Sequence, residues 1–420
     1  MTGILTRRGF GALASAMVLA TAGVALAQTP SGAPIRIGGS MSLSGGLAGN
    51  GRPSQLAHQI WVDDINARGG LLGRPVELIH YDDQSAGANV PGIYTKLIDV
   101  DKVDLVISGY GTAIIAPAMP VVMQRGKAFI ALLGSGTNEM FRYPLTANIS
   151  PVGSTMSKDF SKGFFTVAQG LDPAPKTIAI AGLDSDFSNR AMESVREQAK
   201  VFGIQVVYDR PYPPGTVDFS PIIRSVQAAK PDLVFFASYP PDSIGLLKAV
   251  QELGLSAQML GGGMIGPQVT AIKAQLGAQL NNLVSWDVYA PEPTMNFPGT
   301  TEFLERYRKV AAAQGAETLG LYAPPLAYAQ MQVLEQAVTR AGSLDQAAIG
   351  AELHKGSFQT VIGELSFDDL GEWVEERNLW VQYQNIEGND LEQFKLPGRQ
   401  VILYPEMYKS GDLRPGFPAK

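Results

Sequence analysis

The sequence predicts an α/β protein of two doubly wound parallel-sheet domains joined by three crossovers. Three observations carry that prediction. Between residues 35 and 266 a short β-rich run, a Gly/Ser/Asp loop and an amphipathic helix succeed one another repeatedly, which is the spacing of parallel strands joined by helices. Most of the β-rich runs are apolar without polar alternation, as strands covered on both faces are. About 390 residues remain once an N-terminal leader is set aside, more than one core ordinarily organises.

The leader occupies residues 1–27. It opens with Thr6-Arg7-Arg8-Gly9-Phe10, continues through an apolar stretch and ends at Ala25-Leu26-Ala27, the layout of an export signal. Two adjacent arginines before Gly-Phe point to the twin-arginine route. The apolar stretch, about 15 residues, is short for a membrane anchor. The chain has no cysteine, so no disulfide supports it and stability must come from apolar cores. No cysteine follows the leader to accept a lipid either, and the expected location is free in the periplasm. Without Arg7 and Arg8 there remain 39 acidic against 31 basic side chains. No basic stripe favours nucleic acid, and no later apolar run is long enough to span a membrane.

Strands are predicted at 35–38, 76–81, 104–107, 128–132, 177–181, 205–208, 232–236 and 258–260, with helices at 53–67, 90–99, 155–169, 189–202, 219–229 and 243–253. Gly69 and Gly70 end the first helix, and Asp82 and Asp83 stand at a strand end where a carboxylate can cap the next segment. Residues 141–153 are irregular and carry two prolines, so the chain is expected to cross between domains there. Further crossings are expected at 284–293 and 362–368. The domains are then 34–152 plus 287–363 and 153–286 plus 364–395, with 396–420 as a C-terminal extension of no assignable role. Ligands of such sheets lie beyond the carboxyl ends of the strands, which directs attention to loops 42–50, 109–113, 134–138, 182–188, 238–242, 261–266 and 286–290.

Several of these residues form a recognisable set: Ile37-Gly38, Ser42-Leu43-Ser44-Gly45, the block DINARGGLLGRPVELIHYDD from Asp64 to Asp83, Pro117-Ala118, Gly136-Thr137-Asn138, Asp218-Phe219-Ser220, Thr360-Val361-Ile362-Gly363 and Phe367-Asp368. Over residues 34–384 the chain resembles the leucine/isoleucine/valine-type substrate-binding proteins of ABC importers, which have a type I periplasmic binding protein fold. The resemblance implies a non-enzymatic, cofactor-free periplasmic protein. Such a protein closes two lobes around a small ligand and delivers it to a permease of the inner membrane. A monomer is expected. The same fold can also present its ligand to a sensor, and no signalling or membrane segment in this sequence favours that alternative.

The resemblance further implies where the ligand sits. In amino-acid binders of the family, a hydroxyl residue after the third strand and a small–Thr pair after the fourth hold the substrate carboxylate; these fall on Thr112 and on Gly136-Thr137. Thr112 opens a helix, where backbone N–H groups and the helix dipole favour an anion. Tyr239 matches a tyrosine that closes from the second domain. Three positions depart from the pattern: Asn50 replaces an aromatic residue, Gly153 an acidic one, and Gly263 the glutamate that pairs with the α-ammonium. A buried ammonium without such a partner is costly by several kcal/mol. The expected ligand is therefore a carboxylate with an apolar or aromatic body. Candidates to line it are Tyr110, Phe187, Tyr239, Trp286 and Tyr289. Asp184, Asp186 or Asp287 could supply a relocated ammonium partner, which keeps branched-chain amino acids and amides open. The predicted binding set is Asn50, Tyr110, Thr112, Gly136, Thr137, Phe187, Tyr239 and Gly263.

Other chemistries fit less well. Residues 261–266 read Gly-Gly-Gly-Met-Ile-Gly, formally the G-x-G-x-x-G of dinucleotide sites, with Asp287 downstream. The helix after this run is only about ten residues, however, and no second nucleotide half is evident. His58, His80 and His354 are far apart in sequence and suggest no metal site. No G-x-S-x-G nucleophile elbow occurs.

Overall fold

The computed structural model describes residues 1–3, 29–375 and 377–418. From residue 4 onward the expected export signal lies outside the described residues.

The first sheet contains β1 (Ile35–Met41), β2 (Val76–Asp82), β3 (Leu105–Tyr110), β4 (Phe129–Leu132) and β5 (Thr146–Ile149) in the order β2-β1-β3-β4-β5, every pair parallel. β3 shows why it is central: Leu105, Val106 and Ile107 are almost wholly buried, so both faces are covered by helices. One cover is the helix Ala48–Ala67, which packs on the helix Ala323–Ala341. Polar bonds pin that seam: Trp61 Nε1 donates to Glu335 Oε2 at 3.0 Å and Tyr328 OH to Asp64 Oδ2 at 2.8 Å. His58 and His80, distant in sequence, meet there with ring nitrogens 3.4 Å apart. Among the described residues they join no cluster of three or more metal-ligating side chains.

The second sheet begins with β6 (Thr177–Leu183), β7 (Gln205–Tyr212), β8 (Leu233–Ser238), β9 (Met259–Met264) and β10 (Val284–Asp287). After a small hairpin of β11 (Phe358–Thr360) and β12 (Gly363–Leu365), it is completed by β13 (Leu379–Tyr383) and β14 (Gln400–Tyr404). Its order is β14-β13-β10-β9-β8-β6-β7, parallel from β10 to β7 and antiparallel at β13 and β14. The fold is thus the expected pair of doubly wound α/β lobes, the second finished by an antiparallel edge. The chain beyond Leu396 is part of that edge, and a bridge between Ala257 and Phe417 ties its end to the lobe.

Three local expectations are corrected. Residues 141–153 contain a strand, β5, too short and too close to Pro144 and Pro151 to stand out in the sequence. The helix expected over 155–169 is two, Met156–Asp159 and Lys162–Ala168. Residues 261–264, expected in a loop, lie within β9. A Cβ on Gly261 would stand 1.6 Å from the Val284 carbonyl oxygen, and one on Gly262 would stand 2.3 Å from that of Phe236. The glycine run therefore lets β9 lie close between β8 and β10, and no phosphate-cradling turn exists there.

At the junction of the lobes the segment after β4 runs beside the segment before β13. Asn148 N–H donates to Gly371 O at 2.8 Å, and Arg377 N–H to Pro151 O at 2.8 Å. No helix among the described residues is long and apolar enough to cross a membrane.

Candidate functional site

The candidate site lies where the carboxyl ends of the two sheets face each other. In the first lobe Gly111, at φ 87°, turns β3 into the helix Thr112–Gln124. The Thr112 hydroxyl accepts the Ser135 N–H at 2.9 Å, joining the ends of β3 and β4 while keeping its own proton to donate. Gly136, at φ 69°, leads into the helix Thr137–Phe141. Thr137 is buried, and its hydroxyl has no hydrogen-bond partner among the described residues. Asn50 is buried as well and donates from Nδ2 to Tyr110 OH at 3.1 Å, which lies 3.1 Å from Tyr322 OH. Burial raises the pKa of both tyrosines, so they remain neutral donors. Tyr322 had no signal in the sequence; it reaches Tyr110 across 212 positions.

The second lobe presents an aromatic wall. Phe187 lies 5.9 Å from Tyr239 and 6.0 Å from Phe160, and Phe160 lies 5.4 Å from Trp286, centroid to centroid. Gly263 faces this wall: a Cβ there would stand 3.2 Å from Phe160 and 3.5 Å from Phe187. Trp286 is anchored by its indole N–H on Asn378 Oδ1 at 3.2 Å. Phe160 escaped the sequence reading because it sits between two short helices rather than at a strand end.

The three carboxylates expected as relocated ammonium partners are placed differently. Asp184 is exposed and bonded to Asn189 Nδ2 at 2.9 Å. Asp186 is exposed at the start of the helix Asp186–Val201. Asp287 is buried, accepts from Val288 N–H and Gln400 Nε2, and has its pKa pushed up to about 6 by burial, against the opposing charge of Lys273. Tyr289 is buried, with its pKa pushed up to about 12 by burial.

The predicted residues thus fall into three groups: Asn50 with Tyr110; Thr112 with Gly136 and Thr137; and Phe187 with Tyr239 and Gly263. Tyr110 and Tyr239 come from different lobes. The lobes also touch directly, for Arg190 pairs with Glu139 at 3.1 Å and lays its guanidinium over Gly136. Gly153, at φ 69°, is buried in the segment after β5.

The two doubly wound lobes meet at their strand ends, and a family model described as periplasmic binding protein matches residues 34–375. The chain belongs to the periplasmic binding protein family. Within it, the expected likeness to Leu/Ile/Val-type members holds. The "Leu/Ile/Val-binding protein homolog 8" of Brucella abortus is 28% identical over 321 residues, covering 72% of this chain and 77% of that protein. Among solved structures, the leucine-binding protein LivK of Thermotoga maritima superposes with a TM-score of 0.72 at 20% identity, covering 84% of this chain and 96% of the other. A solute-binding protein of an ABC transporter from Rhodopseudomonas palustris, in complex with 3,4-dihydroxy benzoic acid, gives 0.71 at 18% identity, covering 84% and 94%. These periplasmic binding protein relatives are named for what they bind, not for a reaction. At such identities the structural likeness establishes the fold and leaves the ligand to the residues of this chain.

Proposed function

We propose that this chain is the periplasmic solute-binding component of an ABC importer of the branched-chain amino acid type. It closes its lobes on a small carboxylate with an apolar or aromatic body. Thr112, Gly136 and Thr137 receive the carboxylate on the first lobe, where a helix N-terminus and an unpartnered hydroxyl favour an anion. Asn50 and Tyr110 border that position, and Phe187 and Tyr239 cover the ligand from the second lobe. The observation that carries the ligand class is the surround of Gly263: no carboxylate stands there, and a Cβ would lie against Phe160 at 3.2 Å and Phe187 at 3.5 Å. An ammonium brought there would meet aromatic carbon instead of a carboxylate. A relative of the same fold in complex with an aromatic acid supports the reading. Export by the twin-arginine route, freedom from a lipid anchor, monomeric state and delivery to an inner-membrane permease complete it.

One observation favours a second reading. Asp287 is a buried carboxylate at the end of β10, next to Trp286, so it could serve an ammonium from the other side of the site and admit branched-chain amino acids or amides. Thermal shift on the chain from Gln28 onward separates the two. A ligand at about 100 times its Kd stabilises by roughly 2.7 kcal/mol, enough to move the melting point measurably. Stabilisation by aromatic or aliphatic carboxylates and not by leucine, valine or their amides is expected. Stabilisation by leucine or valine assigns the ammonium to Asp287 instead.

A further inference from the structure

The candidate site is flanked by two places where lobe meets lobe. β1 and β4 stand on either side of β3, and β9 and β6 on either side of β8. The helix after β4 meets the helix after β6 through Glu139 and Arg190. On the other flank the helix after β1 meets the segment after β9, where a Cβ on Gly49 would stand 3.0 Å from Val269. Beside that contact a hydrogen bond crosses the seam: Thr270 Oγ1 donates to Glu317 Oε2 at 2.6 Å.

The two partners belong to different lobes. Glu317 follows the helix Thr300–Ala313, which Arg306 ties to Asp64 of the first-lobe helix Ala48–Ala67 at 2.9 Å. Thr270 opens the helix Thr270–Leu276 of the second lobe, where Lys273 Nζ and Tyr383 OH of β13 both donate to Pro267 O. Its own lobe already holds Glu317: Tyr307 OH donates to Oε1 at 2.7 Å, Leu319 N–H to Oε2 at 3.0 Å and Gly320 N–H to Oε1 at 3.2 Å. The carboxylate is thus fixed before the second lobe arrives, and little side-chain entropy is lost in receiving one more donor. A hydroxyl given to a carboxylate at 2.6 Å lies in the short, strong range of charge-assisted bonds. Both residues line a groove of about 920 Å³ between the lobes, and neither is fully buried. When the lobes part, water therefore replaces each partner and no buried polar atom is stranded. We propose that Glu317 and Thr270 form a latch that holds the closed lobes together and sets how long a ligand stays bound. The latch rests on the reading of the chain as two lobes closing on a ligand. It goes beyond that reading by assigning residence time to a pair that is not among the predicted binding residues.

The chain has no cysteine, so two introduced at exposed positions carry spin labels without competition. Ala88→Cys on the first lobe and Val217→Cys on the second give such a pair in the full mature chain. Pulsed electron resonance then reads the distance between the lobes, ligand-free and with benzoate, 3-methylbutanoate or leucine as probes. Thr270→Val keeps the shape of the side chain and loses the hydroxyl; Thr270→Ser keeps the hydroxyl. With a probe that shortens the distance in the labelled parent, Thr270→Val is expected to retain a longer-distance population and to release the probe about tenfold faster, the size of one hydrogen bond to a charged group. Its association rate and its ligand-free melting temperature should match the parent, and Thr270→Ser should behave as the parent throughout. Equal distances and release rates in all three proteins overturn the latch and leave the closing of the lobes standing. Faster release in Thr270→Val accompanied by a ligand-free melting temperature several degrees lower also overturns it, because the bond then serves the fold. If no probe shortens the parent's distance, that result counts against closing on such ligands, and the ligand-free distributions decide the latch. A short-distance fraction present in the parent and Thr270→Ser but missing from Thr270→Val supports it; identical distributions overturn it.

Discussion

At Gly263 the limiting contact is with two rings rather than with backbone. Phe160 and Phe187 leave only enough room for a Cβ at the edge of van der Waals distance, and a glutamate would put a charge against aromatic carbon in a closed cleft. Gly263→Glu is expected to destabilise by roughly 3 kcal/mol or more through overpacking and a buried unpaired charge. Phe160 is fully buried, so Phe160→Ala alone should cost about 3–5 kcal/mol, but Gly263→Glu should cost less in that background than in the wild type, because the ring that obstructs the side chain is gone. Chemical denaturation of the wild type, both single variants and the double variant measures both. His58 offers a second test. It is fully buried, bonded to Gln330 Oε1 at 2.8 Å and set against His80, and burial lowers its pKa to about 4. Its folded pKa lies below the unfolded value near 6.5, so its contribution is intact above pH 6.5 and is lost as pH falls toward 4. At pH 5 the wild type should have lost on the order of 2 kcal/mol more, relative to pH 7, than His58→Leu; parallel curves for the two proteins would exclude the effect. Gly263 drew attention in the sequence because one residue departs from the pattern the resemblance implies. Phe160, which fills the space, was not, since no spacing rule links it to β9.

At the scale of elements, the parallel strands announced themselves and the antiparallel edge did not. β3, β4, β6 and β8 are largely apolar runs bounded by turn residues, and period and composition suffice to find them. β13 and β14 come after a long irregular stretch, break the strand–helix alternation and take their identity from the partner they pair with. The glycine run of β9 misled for the opposite reason: a loop composition was placed inside a strand by the close approach of its neighbours. The C-terminal segment then acquires a definite role. Val401, Ile402 and Leu403 are buried in β14, each contributing about 1.5–3 kcal/mol of burial, and Gln382 Nε2 reaches on to Arg414 O at 2.8 Å. Ending the chain after Leu396 should therefore uncover Trp380 and the second-lobe core and lower the melting temperature by well over ten degrees, or yield insoluble protein. A truncated chain that melts with the wild type would show that the edge strand is dispensable.

In the proposed closing of the lobes, one contact across the seam has a demanding geometry. Arg190 and Glu139 pair at 3.1 Å with part of each side chain in solvent, and a pair of that kind is worth no more than about 1 kcal/mol. The seat beneath it is more exacting. A Cβ on Gly136 would stand 2.5 Å from the Arg190 Cζ, and the residue holds φ 69°, which costs a side chain on the order of 1 kcal/mol. Gly136→Ala thus opposes closure twice, by strain within the first lobe and by collision between the lobes, whereas Arg190→Ala removes only the ion pair and the collision. Ligand affinity reflects the population of the closed form, so Gly136→Ala should bind at least tenfold more weakly and show a larger radius of gyration by small-angle scattering in the presence of ligand. Arg190→Ala should cost only a few-fold. In the double variant the collision is absent, and affinity should return most of the way to that of Arg190→Ala, the remainder being the backbone strain. Should the double variant bind no better than Gly136→Ala, the glycine would matter only for the turn that receives the ligand, and closure would have to be held elsewhere along the seam.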